Sequence, residues 1–279
     1  MTADGTPPQE RECTMTTKWI KRRRSRIIRG IIFAAALIVF LYSGFQLLQI
    51  FGEYKRGSDE YQDLAGAADK ILSSAEENIK ENGDLQGQPA AEEDSGAWKE
   101  LYETMSRDNE DYVGWIVIED TKINYPIVQG SDNDYYLSHT FEGKENSSGT
   151  LFVDYRIEEG MEGKHVLVYG HNMKNGSMFA GLKKYREDEF YEQHKTFRVY
   201  TKTGLYTYEI FAVREIPADS DAYTLWFADD ADFMSYIKKM QADSIQSTGV
   251  TVEPGDQIIT LSTCVNNNVD RLIIQAKRL

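Results

Sequence analysis

Three residues stand where this sequence could present them for covalent chemistry: Cys264, His171 and Arg271. Cys264 closes the run Ile258-Ile-Thr-Leu-Ser-Thr-Cys264, so a strand end would hold its thiol on rigid backbone. A thiol is weakly ionised at neutral pH, and a nucleophilic cysteine therefore needs a base or a cation beside it. Four histidines are available, at 139, 165, 171 and 194. His171 follows the apolar run Val166-Leu-Val-Tyr-Gly170 and opens the polar loop Asn172-Met-Lys-Asn-Gly176, where a reactive side chain would be presented. The other three sit in strongly polar local sequence. Arg271 opens a β-forming run after the turn Val265-Asn-Asn-Asn-Val-Asp270, so a hairpin could return it to Cys264. Taken singly, each has a plainer reading: a small buried hydrophobe, a solvated loop histidine and a surface charge.

The topology sharpens the case for the thiol. Gly30–Phe51 is the one long apolar run, and its 22 residues would span about 33 Å as a helix, close to a bilayer's hydrocarbon thickness. Lys18, Lys21, Arg22, Arg23, Arg24, Arg26 and Arg29 precede it and mostly acidic sequence follows, which puts residues 1–29 in the cytoplasm and 52–279 outside. A cleaved signal peptide fits less well, because the run is long for one and no small-x-small site follows. The two cysteines, Cys13 and Cys264, then lie on opposite sides and cannot pair. A lone outer thiol is worth treating as reactive.

Residues 1–51 hold eight Lys/Arg against three Asp/Glu, leaving 23 basic and 42 acidic residues beyond them, a net −19. So acidic a domain is a poor nucleic-acid binder and reads as a solubilised surface.

The elements that must position these residues are mostly strands. Residues 52–97 read as a stalk. It holds a helix-compatible stretch near Asp59–Asn82, with Leu64, Ala67, Ala68, Ile71, Leu72 and Ala75 on one side, and then a linker over Gly83–Ala97. Trp98, Leu101, Tyr102 and Met105 mark a short amphipathic helix. From there β-forming runs recur at Val113–Ile118, Ile123–Val128, Thr150–Val153, His165–Tyr169, Phe197–Tyr200, Tyr206–Ile216, Gln257–Ser262 and Arg271–Ala276. Eight strands with few helices between them predict a barrel or sandwich. Two helical interruptions are expected, at Ser177–Tyr185 and Asp230–Ile245.

The motifs Leu261-Ser-Thr-Cys264, Arg271 and Tyr169-Gly-His-Asn-Met173 closely resemble the sortase family. Ile123-Asn-Tyr-Pro-Ile-Val-Gln-Gly130, Asp132-Asn-Asp-Tyr-Tyr-Leu137, Gly149-Thr-Leu-Phe-Val-Asp-Tyr155 and Gly176-Ser-Met-Phe179 point to its class B. The resemblance covers residues 98–279, the expected catalytic domain. It implies an eight-stranded β-barrel with an N-terminal helix and a helix inserted between strands six and seven, which Asp230–Ile245 would supply.

It also implies His171, Cys264 and Arg271 as the catalytic set, with Asn124, Val128, Tyr223, Ser262 and Thr263 lining the substrate groove. An acidic residue sometimes found just after the cysteine is Val265 here, and the turn to Arg271 is short.

The chemistry so implied is acyl transfer by a membrane-anchored cysteine transpeptidase of a Gram-positive cell surface. It would cleave the C-terminal sorting signal of a secreted protein after Thr, near Asn-Pro-x-Thr or Pro-x-Thr-Gly, through a thioacyl intermediate. A peptidoglycan-precursor or cross-bridge amine would then accept the protein. No metal, cofactor or nucleic acid is implied.

A pilin-polymerising member of the family is the nearest alternative, and a non-catalytic anchored binding domain the next. L,D-transpeptidases carry a Ser-x-Gly-Cys context that is absent here. Papain-like hydrolases place Cys before His, the reverse of this order.

Overall fold

The computed structural model describes residues 8–81, 96–265 and 269–279. The first helix, α1 (Pro8–Glu81), runs through two compact units, Met1–Gly52 and Glu53–Leu279, which are taken separately. Over residues 31–51 the large apolar side chains face outward: Phe33, Phe40 and Leu48 are each more than 70% exposed. This helix is the one among the described residues long and apolar enough to cross a membrane.

The second unit is a closed barrel. Its strands are β1 (Tyr112–Val117), β2 (Asn124–Val128), β3 (Leu151–Val153), β4 (His165–Tyr169), β5 (Thr196–Thr201), β6 (Leu205–Pro217), β7 (Ile258–Val265) and β8 (Asp270–Arg278). Their order around the barrel is β1-β2-β3-β4-β7-β8-β6-β5, closing on β1. β2–β3 and β4–β7 pair in parallel and the remaining neighbours antiparallel. Closure leaves no unpaired sheet edge. The sequence-derived runs match these strands to within a few residues.

Helix α2 (Ala97–Asp108) buries Leu101 and Met105 against the barrel, and the short α3 (Asp188–Gln193) precedes β5. The interruption expected at Ser177–Tyr185 is a 3-10 helix over Phe179–Arg186. Helix α4 (Asp230–Ala242) lies between β6 and β7, as the resemblance implied, and starts where the Asp229 carboxylate accepts a bond from the Asp232 amide. Its residues 233, 236, 237 and 240 recur at helical spacing and are all buried, packing on Phe211, Ile216, Ile258 and Ile273 as a second core outside the barrel.

One expectation is corrected. The segment read as a stalk is not free of the domain. From Glu53 onward α1 belongs to the barrel unit, with Tyr61, Leu64 and Ala68 buried in its core. The Tyr61 hydroxyl donates to the Gly149 carbonyl, its ring meets Tyr125 edge-on at 5.4 Å, and the Glu60 carboxylate accepts from the Glu142 amide. A one-sided apolar helix needs a surface to cover, and the β2 face supplies it. The linker expected over Gly83–Ala97 falls, up to residue 95, outside the described residues, and Ala97 is already helical and buried.

His165, which opens β4, is buried. It bonds to the Thr224 carbonyl and the Thr260 hydroxyl, each at 2.7 Å, and burial pushes its pKa down to about 4.

Replacing Tyr61 by Ala should cost about 3 kcal/mol in denaturant unfolding, from the lost ring volume and the orphaned carbonyl. A change under about 0.5 kcal/mol is what a solvated stalk would give. His165 is neutral when folded, and below its ordinary value of 6.5 the unfolded chain takes up a proton that the fold refuses. Stability therefore falls as pH drops from 6.5 towards 4. In His165→Gln the stability lost between pH 7 and pH 4.5 should be about 2 kcal/mol smaller than in the parent, and equal losses would remove His165 as the source.

Candidate active site

Parallel strands end at the same side of a sheet, and β4 and β7 are parallel with Tyr169 opposite Ser262. Two residues further along each chain come His171 and Cys264, so this register brings them out side by side. Three hydrogen bonds close the seam. The Gly170 amide donates to the Ser262 carbonyl at 3.1 Å, the Thr263 hydroxyl to the Gly170 carbonyl at 2.7 Å, and the Asn172 side-chain amide to the Cys264 carbonyl at 2.7 Å. Gly170 has no space for a side chain: a Cβ there would lie 2.4 Å from Leu151 and 2.6 Å from Phe179.

Across the antiparallel β7–β8 pair Cys264 stands opposite Arg271, the hairpin that the spacing predicted. Cys264 is also the one half-buried residue of β7, so an otherwise buried strand opens at Cys264.

These strand ends surround a pocket of about 490 Å³ lined by His171, Cys264 and Arg271 together with Tyr223, Ser262 and Thr263. The His171 Nε2 lies 2.8 Å from the Leu137 carbonyl; because a carbonyl only accepts, Nε2 carries the proton and Nδ1 is left for chemistry. Tyr223 bonds through its hydroxyl to Ser262 at 2.8 Å. Burial pushes the Tyr223 phenol up, against the Ser262 bond and the Arg271 charge, which pull it down.

Two of the residues expected in the groove are not brought here. Val128 is fully buried, on a strand whose last four residues are all covered, and is not among the residues lining this pocket. Asn124 lines a different pocket beside α1, where its side chain accepts from the Trp115 indole at 2.6 Å and donates to Asp69 at 3.2 Å.

The sequence reading also missed part of the wall. Asp154 is fully buried and holds the Arg156 fork through Nε at 2.8 Å and Nη2 at 2.7 Å, while accepting the Tyr169 hydroxyl at 3.0 Å. Burial opposes the Asp154 charge, but the Arg156 fork and the Tyr169 bond outweigh it and hold the carboxyl below the usual range. Arg156, Tyr169, Asn133 and Leu137 all line the pocket, and Arg156 lies 5.9 Å from the exposed Trp226 ring. The spacing Asp154-x-Arg156 at a strand end was the available signal, since a two-residue offset lets a fork turn back on its own carboxylate.

Comparison with known proteins agrees with this geometry. The sortase domain family matches residues 116–279. A sortase B of Listeria monocytogenes is 35% identical over 242 residues, covering 86% of this chain and 92% of its own length. A solved sortase B structure from Listeria monocytogenes superposes with a TM-score of 0.58 at 41% identity, over 63% of this chain and 98% of that one. A Staphylococcus aureus sortase B–substrate complex gives a TM-score of 0.69 at 26% identity, covering 81% of this chain and 98% of that one. With eight strands closed in one barrel, a helix between β6 and β7, and Cys264 at a pocket on the strand ends, this chain belongs to the sortase family, in its class B, and is a cysteine transpeptidase.

Proposed function

We propose that the chain is a membrane-anchored enzyme that cuts a sorting signal through a thioacyl intermediate on Cys264 and passes the acyl group to an amine at the cell wall. The observation that supports this most directly is the single pocket in which His171, Cys264 and Arg271 meet at converging strand ends.

The Cys264 thiolate attacks the carbonyl carbon of the Thr in the signal, and the carbonyl π electrons move onto oxygen. The Arg271 guanidinium, a permanent cation, faces that oxyanion. Collapse breaks the C–N bond, and the His171 imidazolium gives its Nδ1 proton to the departing amine. A thioester remains. The acceptor amine adds to it and loses its proton to Nδ1, and Cys264 leaves as thiolate. His171 thus serves as acid in the first half and base in the second, with Nε2 held on the Leu137 carbonyl throughout.

Ser262, Thr263 and Tyr223 line the groove that receives the signal. That a Staphylococcus aureus sortase B has been solved as a substrate complex supports substrate binding by this fold. The apolar helix Gly30–Phe51 anchors the enzyme with its basic N-terminus in the cytoplasm and the barrel outside. Both substrates would be retained at the outer membrane face, where a tethered catalyst meets them at raised effective concentration.

Cys264→Ala should abolish cleavage of a sorting-signal peptide while the circular dichroism spectrum and melting temperature stay near those of the parent. Undiminished cleavage would rule out the thioacyl route. Arg271→Lys keeps the charge but loses the planar fork, so kcat/KM should drop about a hundredfold without unfolding. Near-normal turnover would take Arg271 out of the oxyanion role.

A further inference from the structure

A second site lies beside the catalytic loop, in a depression of about 600 Å³ floored by Gly176, Ala180 and Gly181. Four lysines line it from three separate parts of the chain. Lys122 comes from the β1–β2 turn, Lys174 from the loop that opens with His171, and Lys183 and Lys184 from the 3-10 helix.

This convergence runs against the composition, since the sequence beyond residue 51 has a net charge of −19. Two lysines at a helix C-terminus can be explained by the helix dipole alone. Lys122 and Lys174 cannot, because they lie on other elements and converge on the same depression.

The four ammonium groups are not spent on carboxylates, for among the described residues none of them forms an ion pair. Lys122 donates to the Asn175 carbonyl at 3.0 Å and Lys184 to the Asp120 carbonyl at 2.6 Å, both neutral acceptors. Lys184 also lies 5.1 Å from the Phe190 ring. Of the two acids on the rim, Asp120 is already bonded to His194 at 2.9 Å, which leaves Glu187 as the other negative group. The lining carries four positive charges against two negative ones, over a floor of small residues that leaves room for a ligand.

We infer that this depression binds the diphosphate of a lipid-linked amine acceptor. The inference rests on the transpeptidase reading above and adds a docking place for the second substrate. Lysine ammoniums recognise phosphate as point charges, and clustered lysines suit a group carrying two or more negative charges. The location ties it to the reaction. Met173 and Lys174 line the depression, two and three residues past His171 on the same loop. A phosphate held there leaves the remainder of the acceptor beside the loop that carries the general base. An anionic phospholipid headgroup presents similar charge, and the test separates the two sources.

The test uses the full chain in zwitterionic detergent micelles. Inorganic pyrophosphate is titrated while backbone amide shifts are followed, and transfer from a sorting-signal peptide is measured with two amines. One amine is a lipid-diphosphate-linked peptidoglycan precursor and the other is triglycine amide. Pyrophosphate should saturate, with shifts centred on Lys174, Gly176 and Gly181.

The double variant Lys174→Gln/Lys183→Gln removes two charges that brace nothing in the fold. It should weaken pyrophosphate about tenfold and raise the KM for the precursor by a similar factor, with the KM for triglycine amide unmoved. The matching Lys→Arg pair should retain both values. The inference is overturned by unsaturable binding, by shifts centred elsewhere, or by a precursor KM that the Gln pair leaves unchanged. It is overturned as well if phosphatidylglycerol vesicles displace pyrophosphate while the precursor does not. Failure of the transpeptidase reading looks different: neither amine is acylated, and the pyrophosphate titration still reports on the depression.

Discussion

The parallel pairing of β4 with β7 is the constraint on which the rest of this molecule depends. It aligns two strand ends whose next residues supply the imidazole and the thiol, and the antiparallel β7–β8 hairpin adds the guanidinium from the other side. A parallel pair cannot be joined by a tight turn. Between Tyr169 and Ile258 the chain must leave the sheet and return, and β5, β6 and α4 fill that excursion. The inserted helix is thus part of the route that makes the pairing possible. Its buried face covers the outer side of β6, β7 and β8.

The pocket is stiff for a related reason. Its walls are tied by bonds from backbone to backbone or from side chain to backbone, and these leave little rotamer freedom to lose on binding. Behind them Asp154 carries a buried charge that would be costly without a partner, and the Arg156 fork and Tyr169 hydroxyl neutralise it. Removing Arg156 would leave a charge stranded under the pocket wall. Arg156 and Tyr169 therefore line the same pocket as His171, Cys264 and Arg271 on the strength of that buried carboxylate.

Where local pattern and environment agreed, the sequence could be read directly. Cys264 at the end of an apolar run, His171 after Tyr169-Gly170 and Arg271 beyond a short turn are strand-end positions, and strand ends follow from alternation and turn residues. The helix at 230–242 was equally plain from its 3.6-residue period. What failed was partner choice. Leu64 and Ala68 announced a helix with one apolar face, but nothing local said which surface it covers, so the packed segment passed for a stalk. Val128 and Asn124 sit in a matching motif, yet burial and a separate pocket keep them from the site.

The sequence by itself therefore determined the element types, the long apolar N-terminal helix and the three residues that chemistry could use. Those signals are carried by neighbours a few positions apart, through periodicity, charge asymmetry and turn chemistry. Only the tertiary structure decided that His171 emerges beside Cys264, that Asp154 and Arg156 build the pocket wall, and that four lysines from distant segments share one depression. Each of these depends on which strand lies next to which, and strand pairing is selected by the energy of closing the whole barrel. No short window of residues contains that information.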